Sequence, residues 1–222
     1  MSKRSALRDA RQNMVTRQLE GRGIRNSKVL EAMRHVPRED FVAAQDRADA
    51  YQDCPLSIGA GQTISQPYIV AYMIEALQLQ GGEKVLEIGG GSGYAAAVLA
   101  MIAEHVFAIE RIPELADIAR ANLAAAGIGN VTVRCADGTQ GWPEEAPFDA
   151  ILVSAGAPEV PRRLMDQMRV GARMVIPVGD LPTSQDLIRV IRTTPVAFER
   201  EGLTGVRFVP LVGQEGWDPG NV

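Results

Sequence analysis

Lys84-Val85-Leu86-Glu87-Ile88-Gly89-Gly90-Gly91-Ser92-Gly93-Tyr94 is the stretch that decides the fold. Its first part, 84–89, is a short apolar run of strand length. Four glycines then fall within five residues, where a backbone can turn sharply and come close to a bound group. From Tyr94 an alanine-rich stretch to Ala103 reads as a helix. A strand, a glycine turn and a helix N-terminus in that order make a cradle of polar backbone N–H groups. The alternation continues downstream. Residues 105–110, 131–135, 149–154 and 172–179 read as strands, and 114–126 as a helix ended by Gly127. Strands separated by helices give βαβ units and a parallel sheet covered on both faces. Two later runs, 187–194 and 206–212, show no helix pattern between them and are expected to pair as an antiparallel hairpin at one end of the sheet.

Upstream, the first 25 residues carry Lys3, Arg4, Arg8, Arg11, Arg17, Arg22 and Arg25 against Asp9 and Glu20. Leu7, Ala10, Met14, Val15 and Leu19 recur at helical spacing. The basic side of this helix is read as a solvated face, with contact to RNA or an acidic partner as the alternative. A second helix starts near Ser27, turns Val29, Leu30, Met33 and Val36 inward and stops at Pro37. The expectation is therefore a doubly wound, mostly parallel α/β sheet with a helical N-terminal extension and a C-terminal antiparallel hairpin. It is read as one domain over 1–222, with 1–80 as extension and substrate segment and 81–222 as the nucleotide-binding core.

Bulk properties narrow the function. A chain of 222 residues suits one domain that buries about 70% of its unfolded surface. Its net charge of −4 disfavours a general nucleic-acid binder, and 5% aromatic content disfavours a stacking surface for bases or sugars. Cys54 and Cys135 lie far apart, so neither a zinc site nor a disulfide framework is read and a cytoplasmic home is expected. The run 94–103 is too short to span a bilayer, and the charged N-terminus offers no signal core. No membrane partner is expected, and a monomer is.

Ligands of such sheets bind beyond the carboxyl ends of the strands. A dinucleotide fingerprint wants glycine where this chain has Tyr94, which disfavours an NAD oxidoreductase. The spacing Glu-x-Gly-x-Gly-x-Gly instead looks like the first motif of S-adenosylmethionine-dependent methyltransferases. Glu110, ending the second strand, can accept from two ribose hydroxyls, although NAD sites use an acid there too. Asp137, in the turn Asp137-Gly138, can accept from an adenine amino group or simply form an Asx turn. No GxxxxGK[ST] sequence is present, so nucleotide hydrolysis is not expected.

The acceptor is constrained by what is missing. Ser154-Ala155-Gly156-Ala157-Pro158 is neither the Asp/Asn-Pro-Pro-aromatic turn of amine methylation nor a cysteine nucleophile. His35 and His105 both read as structural. With no evident general base, the fitting acceptor is already ionised: a carboxylate, with pKa near 4. Alignment alone can contribute up to about 7–11 kcal/mol to such a transfer. The segment from Leu56 to Tyr68 leads into a helix with Pro67 in its first turn, and helix N-termini bind anions. Ser65 has two readings, as the N-cap of that helix or as a hydroxyl that holds a carboxylate in line with a methyl group.

These segments together resemble the protein-L-isoaspartate O-methyltransferase family. The matching pieces are Val36-Pro37-Arg38-Glu39-Asp40-Phe41-Val42, the run Gly59 to Pro67 with its Thr63-Ile64-Ser65-Gln66-Pro67, the run Val85 to Tyr94, Asp137-Gly138, Pro147-Phe148-Asp149-Ala150-Ile151, Arg207-Phe208-Val209-Pro210-Leu211-Val212 and Glu215-Gly216-Trp217. The resemblance implies a Rossmann-like class I fold, S-adenosyl-L-methionine as donor without a metal, and methylation of the α-carboxylate of L-isoaspartyl residues in proteins and peptides. The ester would then close to a succinimide that reopens partly to aspartate. It further implies Ser65 as the active-site serine, and a cofactor site of Glu87, Gly89, Gly91, Gly93, Glu110, Arg111, Asp137 and Gly138. Thr63, Ile64 and Val212 would help to hold substrate. Gly90 departs from the Thr or Ser of many members, with loss of a hydroxyl contact expected. Residues 1–13 precede the resemblance and gain no role from it. The rival readings are a same-fold methyltransferase of a small molecule or RNA, and a cofactor-binding regulator that does not turn over.

Overall fold

The computed structural model describes residues 3–221, with side chains for 5–220; Met1, Ser2 and the side chains of Lys3 and Arg4 in the basic stretch lie outside the described residues. α1 (Lys3–Asn13) runs into a π-helical turn at Met14–Leu19, and α2 (Ser27–His35) follows. An antiparallel hairpin of β1 (Leu56–Gly59) and β2 (Gln62–Ile64) leads into α3 (Pro67–Leu77). The main sheet takes β3 (Lys84–Ile88), β4 (His105–Glu110), β5 (Val131–Cys135), β6 (Phe148–Val153), β7 (Met168–Leu181), β8 (Ser184–Arg192) and β9 (Phe198–Val206). Between them lie α4 (Tyr94–Ala100), α5 (Pro113–Ala125) and α6 (Arg162–Asp166). The order across the sheet is β5-β4-β3-β6-β7-β8-β9; β5 to β7 are parallel, while β8 pairs antiparallel with both neighbours.

Successive strand residues point to opposite faces, and both faces are buried. Val85, Ala150 and Leu152 enter one core, Leu86, Ile88, Ile151 and Val153 the other. Glu87 follows Val85 and so is carried into the interior with it. The N-terminal extension belongs to the first core: Met14, Val15, Leu19 and Ile24 are buried there with Val29, Leu30 and Met33 of α2. Each such large side chain contributes about 1.5–3 kcal/mol. Arg38 is fully buried in this layer. Its Nε donates to Ala50 O at 2.8 Å, and its guanidinium lies 5.0 Å from the Tyr94 ring centroid. Burial pulls the Arg38 pKa down and raises that of the Tyr94 hydroxyl to about 12.

Two expectations about elements are corrected. The helix read over 94–103 ends at Ala100, because Asn130 Nδ2 donates to the carbonyls of Ala100 and Ala103, at 2.9 and 3.3 Å, and so satisfies the closing turn. The hairpin partner of β8 is Phe198–Val206, not 206–212. β9 is an edge strand and largely solvent-facing, so Glu199-Arg200-Glu201 hide its period in the sequence. The apolar run after it leaves the sheet and crosses the strand ends. There Leu211 N donates to Gly156 O at 2.7 Å and Gly156 N to Val209 O at 2.8 Å.

Candidate functional site

From β3 the chain works outward to β4 and β5, then returns to β6 on the other side of β3. The connections leaving β3 and β6 diverge, and a crevice opens beyond their carboxyl ends. The glycine turn borders it. Gly89 and Gly90 N–H both go to Ile109 O, at 2.8 and 3.1 Å, and Ser154 N–H to Ile88 O at 2.8 Å. Gly89, Gly91 and Gly93 have φ of 84°, 53° and 88°, conformations that side-chain-bearing residues resist. Gly90 differs: its φ is not positive, and a Cβ would meet Ala108 Cβ at an ordinary 3.7 Å.

Three cavities meet here. The first, of about 320 Å³, lies between Gly89, Gly91, Glu110, Arg111 and Gly138 on one side and the crossing segment at Val209–Val212 on the other. Glu110 is buried; its two oxygens accept from Gly91 N and Ile112 N, each at 2.9 Å. Each oxygen keeps further acceptor capacity. Among the described residues the Arg111 guanidinium has no hydrogen-bond or ion-pair partner. Asp137 behaves differently from its neighbour. One oxygen accepts from Thr139 N (2.9 Å) and Oγ1 (2.7 Å), the other from Gln214 N at 2.9 Å. The Asx turn is therefore present, the carboxylate also anchors the C-terminal segment, and Gly138 rather than Asp137 lines the cavity.

A second, small cavity of about 40 Å³ touches Glu87, Ser92, Ile64, Ser65 and Tyr94. Neither Glu87 oxygen nor Ser92 Oγ finds a hydrogen-bond partner, and both residues are buried. Burial pushes the Glu87 carboxyl well above the usual carboxylate range; the nearby Glu110 charge adds to this, and the Ala96 backbone N–H, though outside hydrogen-bond geometry, opposes it. The third cavity, of about 630 Å³, is bounded by Ser65, Gln66 and Ile69 on one side and by Ser184–Asp186 and Gly205–Val209 on the other. Asp186 and Arg207 give its wall one acid and one base. Thr63 and Ser154 border all three cavities. Val212 lies on the first cavity alone, away from the third, where the substrate reading would place it. Ser154 was not among the expected site residues; its place at the carboxyl end of an apolar strand beside the switch point was the available signal. Neither histidine borders these cavities: His35 Nδ1 lies 2.9 Å from Glu31 O and His105 Nε2 2.8 Å from Thr132 Oγ1.

The structure corrects the reading of Ser65 as a cap. The N-cap of α3 is Gln66, with no side-chain bond to the helix. Asp53 Oδ1 instead accepts the Tyr68 N–H at 3.1 Å. Arg22 pairs with the other Asp53 oxygen and lies 3.6 Å over the Tyr68 ring. Pro67 has no N–H and the Val70 N–H goes to Gln66 O, so the first turn offers an anion the Ile69 N–H alone, less than the sequence suggested.

A parallel sheet with this switch point, a glycine turn after its inner strand and a buried acid at the end of the next strand define a class I S-adenosylmethionine-dependent methyltransferase fold. The family model for protein-L-isoaspartate(D-aspartate) O-methyltransferase matches residues 10–216, and the chain belongs to that family. A protein-L-isoaspartate O-methyltransferase 1 of Rhodopseudomonas palustris (strain HaA2) is 59% identical over 93% of this chain and 84% of its own length. A solved protein-L-isoaspartate O-methyltransferase superposes with TM-score 0.85 at 31% identity, over 93% of this chain and 67% of that one. A Plasmodium falciparum structure assigned to the same activity and solved with S-adenosyl-L-homocysteine gives TM-score 0.79 at 26% identity, over 91% of this chain and 98% of that one.

Proposed function

We propose that this chain transfers the methyl group of S-adenosyl-L-methionine to the α-carboxylate of L-isoaspartyl residues in proteins and peptides. It does so as a single-domain cytoplasmic monomer, with 1–80 as extension and substrate segment and 81–222 as the cofactor-binding core, which also supplies the far wall of the acceptor cavity through 184–186 and 205–209. The observation that carries the reading is the acceptor cavity beside the glycine turn. Ser65 borders it with a hydroxyl that makes no hydrogen bond among the described residues, and neither histidine borders it. Such a cavity can align an ionised oxygen and has no imidazole with which to deprotonate a neutral one.

The residues present fit the donor. Gly138 leaves room where any Cβ would stand 2.5 Å from Ile88 Cγ2. Glu110 and Arg111 offer an acceptor and a cation for the nucleoside, and Asp137 holds the loop that carries Gly138. The orphaned Glu87 and Ser92 suit the donor's ammonium-bearing end. When bound, the donor supplies an electrophilic methyl group on a sulfonium. Ser65 Oγ donates to one carboxylate oxygen and leaves the other to face that methyl; Thr63 and Ile64 fix the strand that precedes Ser65. The ester product is then attacked by the N–H of the following residue, releasing methanol and closing the succinimide.

The test uses purified protein, labelled S-adenosyl-L-methionine and one peptide in isoaspartyl and aspartyl forms. Label is expected in the isoaspartyl form only; equal labelling of both, or of neither with cofactor still bound, overturns the reading. Ser65→Ala is expected to lower kcat about a hundred-fold, the scale of a lost alignment, with cofactor Kd unchanged.

A further inference from the structure

Ser65 stands one residue before the N-cap, Gln66, where a serine hydroxyl can still turn onto the N–H three residues on, here that of Tyr68. Ser65 does not, and the structure shows what relieves it. Asp53, on the loop before β1, accepts the Tyr68 N–H at 3.1 Å. Proline at the first helical position removes another donor that would need an acceptor. Arg22, from the N-terminal layer, pairs with Asp53 and covers the Tyr68 ring. The start of α3 is thus capped by a side chain remote in sequence, which is itself held by a third element.

We propose that Asp53, held by Arg22, is a positioning residue for Ser65. By taking over the helix cap it leaves the serine hydroxyl free for the acceptor. A bare carboxylate at this helix end would also repel an incoming carboxylate, and Arg22 neutralises it. The inference rests on the reading of Ser65 as the residue that aligns substrate.

The experiment measures kcat, KM for an isoaspartyl peptide and cofactor Kd in Asp53→Ala, Asp53→Asn, Arg22→Ala, Ser65→Ala and the pairs of each alanine variant with Ser65→Ala. Asp53→Ala is expected to lower kcat about ten-fold or more, within the range of a misplaced catalytic contact, while cofactor Kd moves by less than about two-fold. Asp53→Asn keeps an oxygen for the Tyr68 N–H and is expected to retain most of kcat. In the Ser65→Ala background the loss from Asp53→Ala is expected to vanish, since coupled residues are non-additive. Arg22→Ala removes a half-exposed side chain that pairs with Asp53 and covers the Tyr68 ring, and is expected to raise KM in the parent and, because the repulsion does not pass through the serine, in the Ser65→Ala background as well. An Asp53→Ala enzyme with parental kcat, an Asn variant as poor as the alanine one, or a kcat loss from Asp53→Ala that multiplies with that of Ser65→Ala would each overturn the inference. Parental kcat in Ser65→Ala alone would instead overturn the serine's proposed role.

Discussion

Gly138 and Gly90 look alike in sequence and are held by different constraints. At Gly138 a side chain has no space, because the loop leaving β5 presses on Ile88, the last residue of β3. At Gly90 the backbone is ordinary and a Cβ would meet its neighbours at ordinary contact distance. Gly138→Ala is expected to cost about 1–3 kcal/mol by overpacking and to weaken cofactor binding, because Gly138 and Ile88 line the same cavity. Gly90→Ser is expected to cost less than Gly138→Ala, since its Cβ meets ordinary contacts only, and to leave cofactor affinity unreduced. Urea melts and titration calorimetry separate the two; equal effects would show that the turn tolerates or rejects side chains as a whole. The sequence marked both glycines and could not rank them, since the ranking depends on which atoms face each Cα. Asp137 carries the same lesson. Its acidity was legible, and its engagement by Thr139 and Gln214 was not.

At the level of elements, the acceptor wall depends on one buried side chain. Gln185 of β8 accepts the Phe208 N–H at 2.8 Å and donates to Pro182 O at 2.7 Å, tying the segment that crosses the strand ends to the β7–β8 turn. Gln185→Ala leaves the Phe208 N–H buried without a partner and is expected to cost about 1–3 kcal/mol. KM for an isoaspartyl peptide should rise while cofactor Kd stays level, because Gln185 borders the acceptor cavity and not the donor cavity. Denaturant melts with steady-state kinetics check this; a rise in cofactor Kd equal to that in KM would mean the clamp holds the whole crevice. The inner strands were legible because a strand buried on both faces is a continuous apolar run. β9 was not, because an exposed edge strand carries the composition of a loop, and the apolar run beside it, 206–212, is buried for a different purpose.

For the whole molecule, Glu87 makes stability depend on pH in a direction opposite to that of a paired carboxylate. Its folded pKa is raised, so the folded protein holds the proton more tightly than the unfolded chain does. Stability therefore falls as pH rises from the unfolded value of about 4.3 through the folded value, and the full cost stands above it. Glu87→Gln is expected to gain melting temperature relative to the parent as pH rises across that window, in the absence of cofactor, and to bind cofactor about ten- to a hundred-fold more weakly, the worth of one charge-assisted hydrogen bond. Thermal melts over a pH series test it; a difference between the two proteins that does not change with pH would show that Glu87 is ionised in the free fold. By itself the sequence determined the alternation of strands and helices, the glycine turn, the acids at the strand ends and the serine before α3, because period, turn chemistry and local order are written into neighbouring residues. Only the tertiary structure decided that Glu87 lies unpaired, that Asp53, paired with Arg22, takes the Tyr68 N–H at the start of α3, and that the run after β9 closes the crevice. Each of these is a contact between segments distant along the chain, and burial and hydrogen-bond satisfaction at such contacts depend on packing that no local pattern encodes.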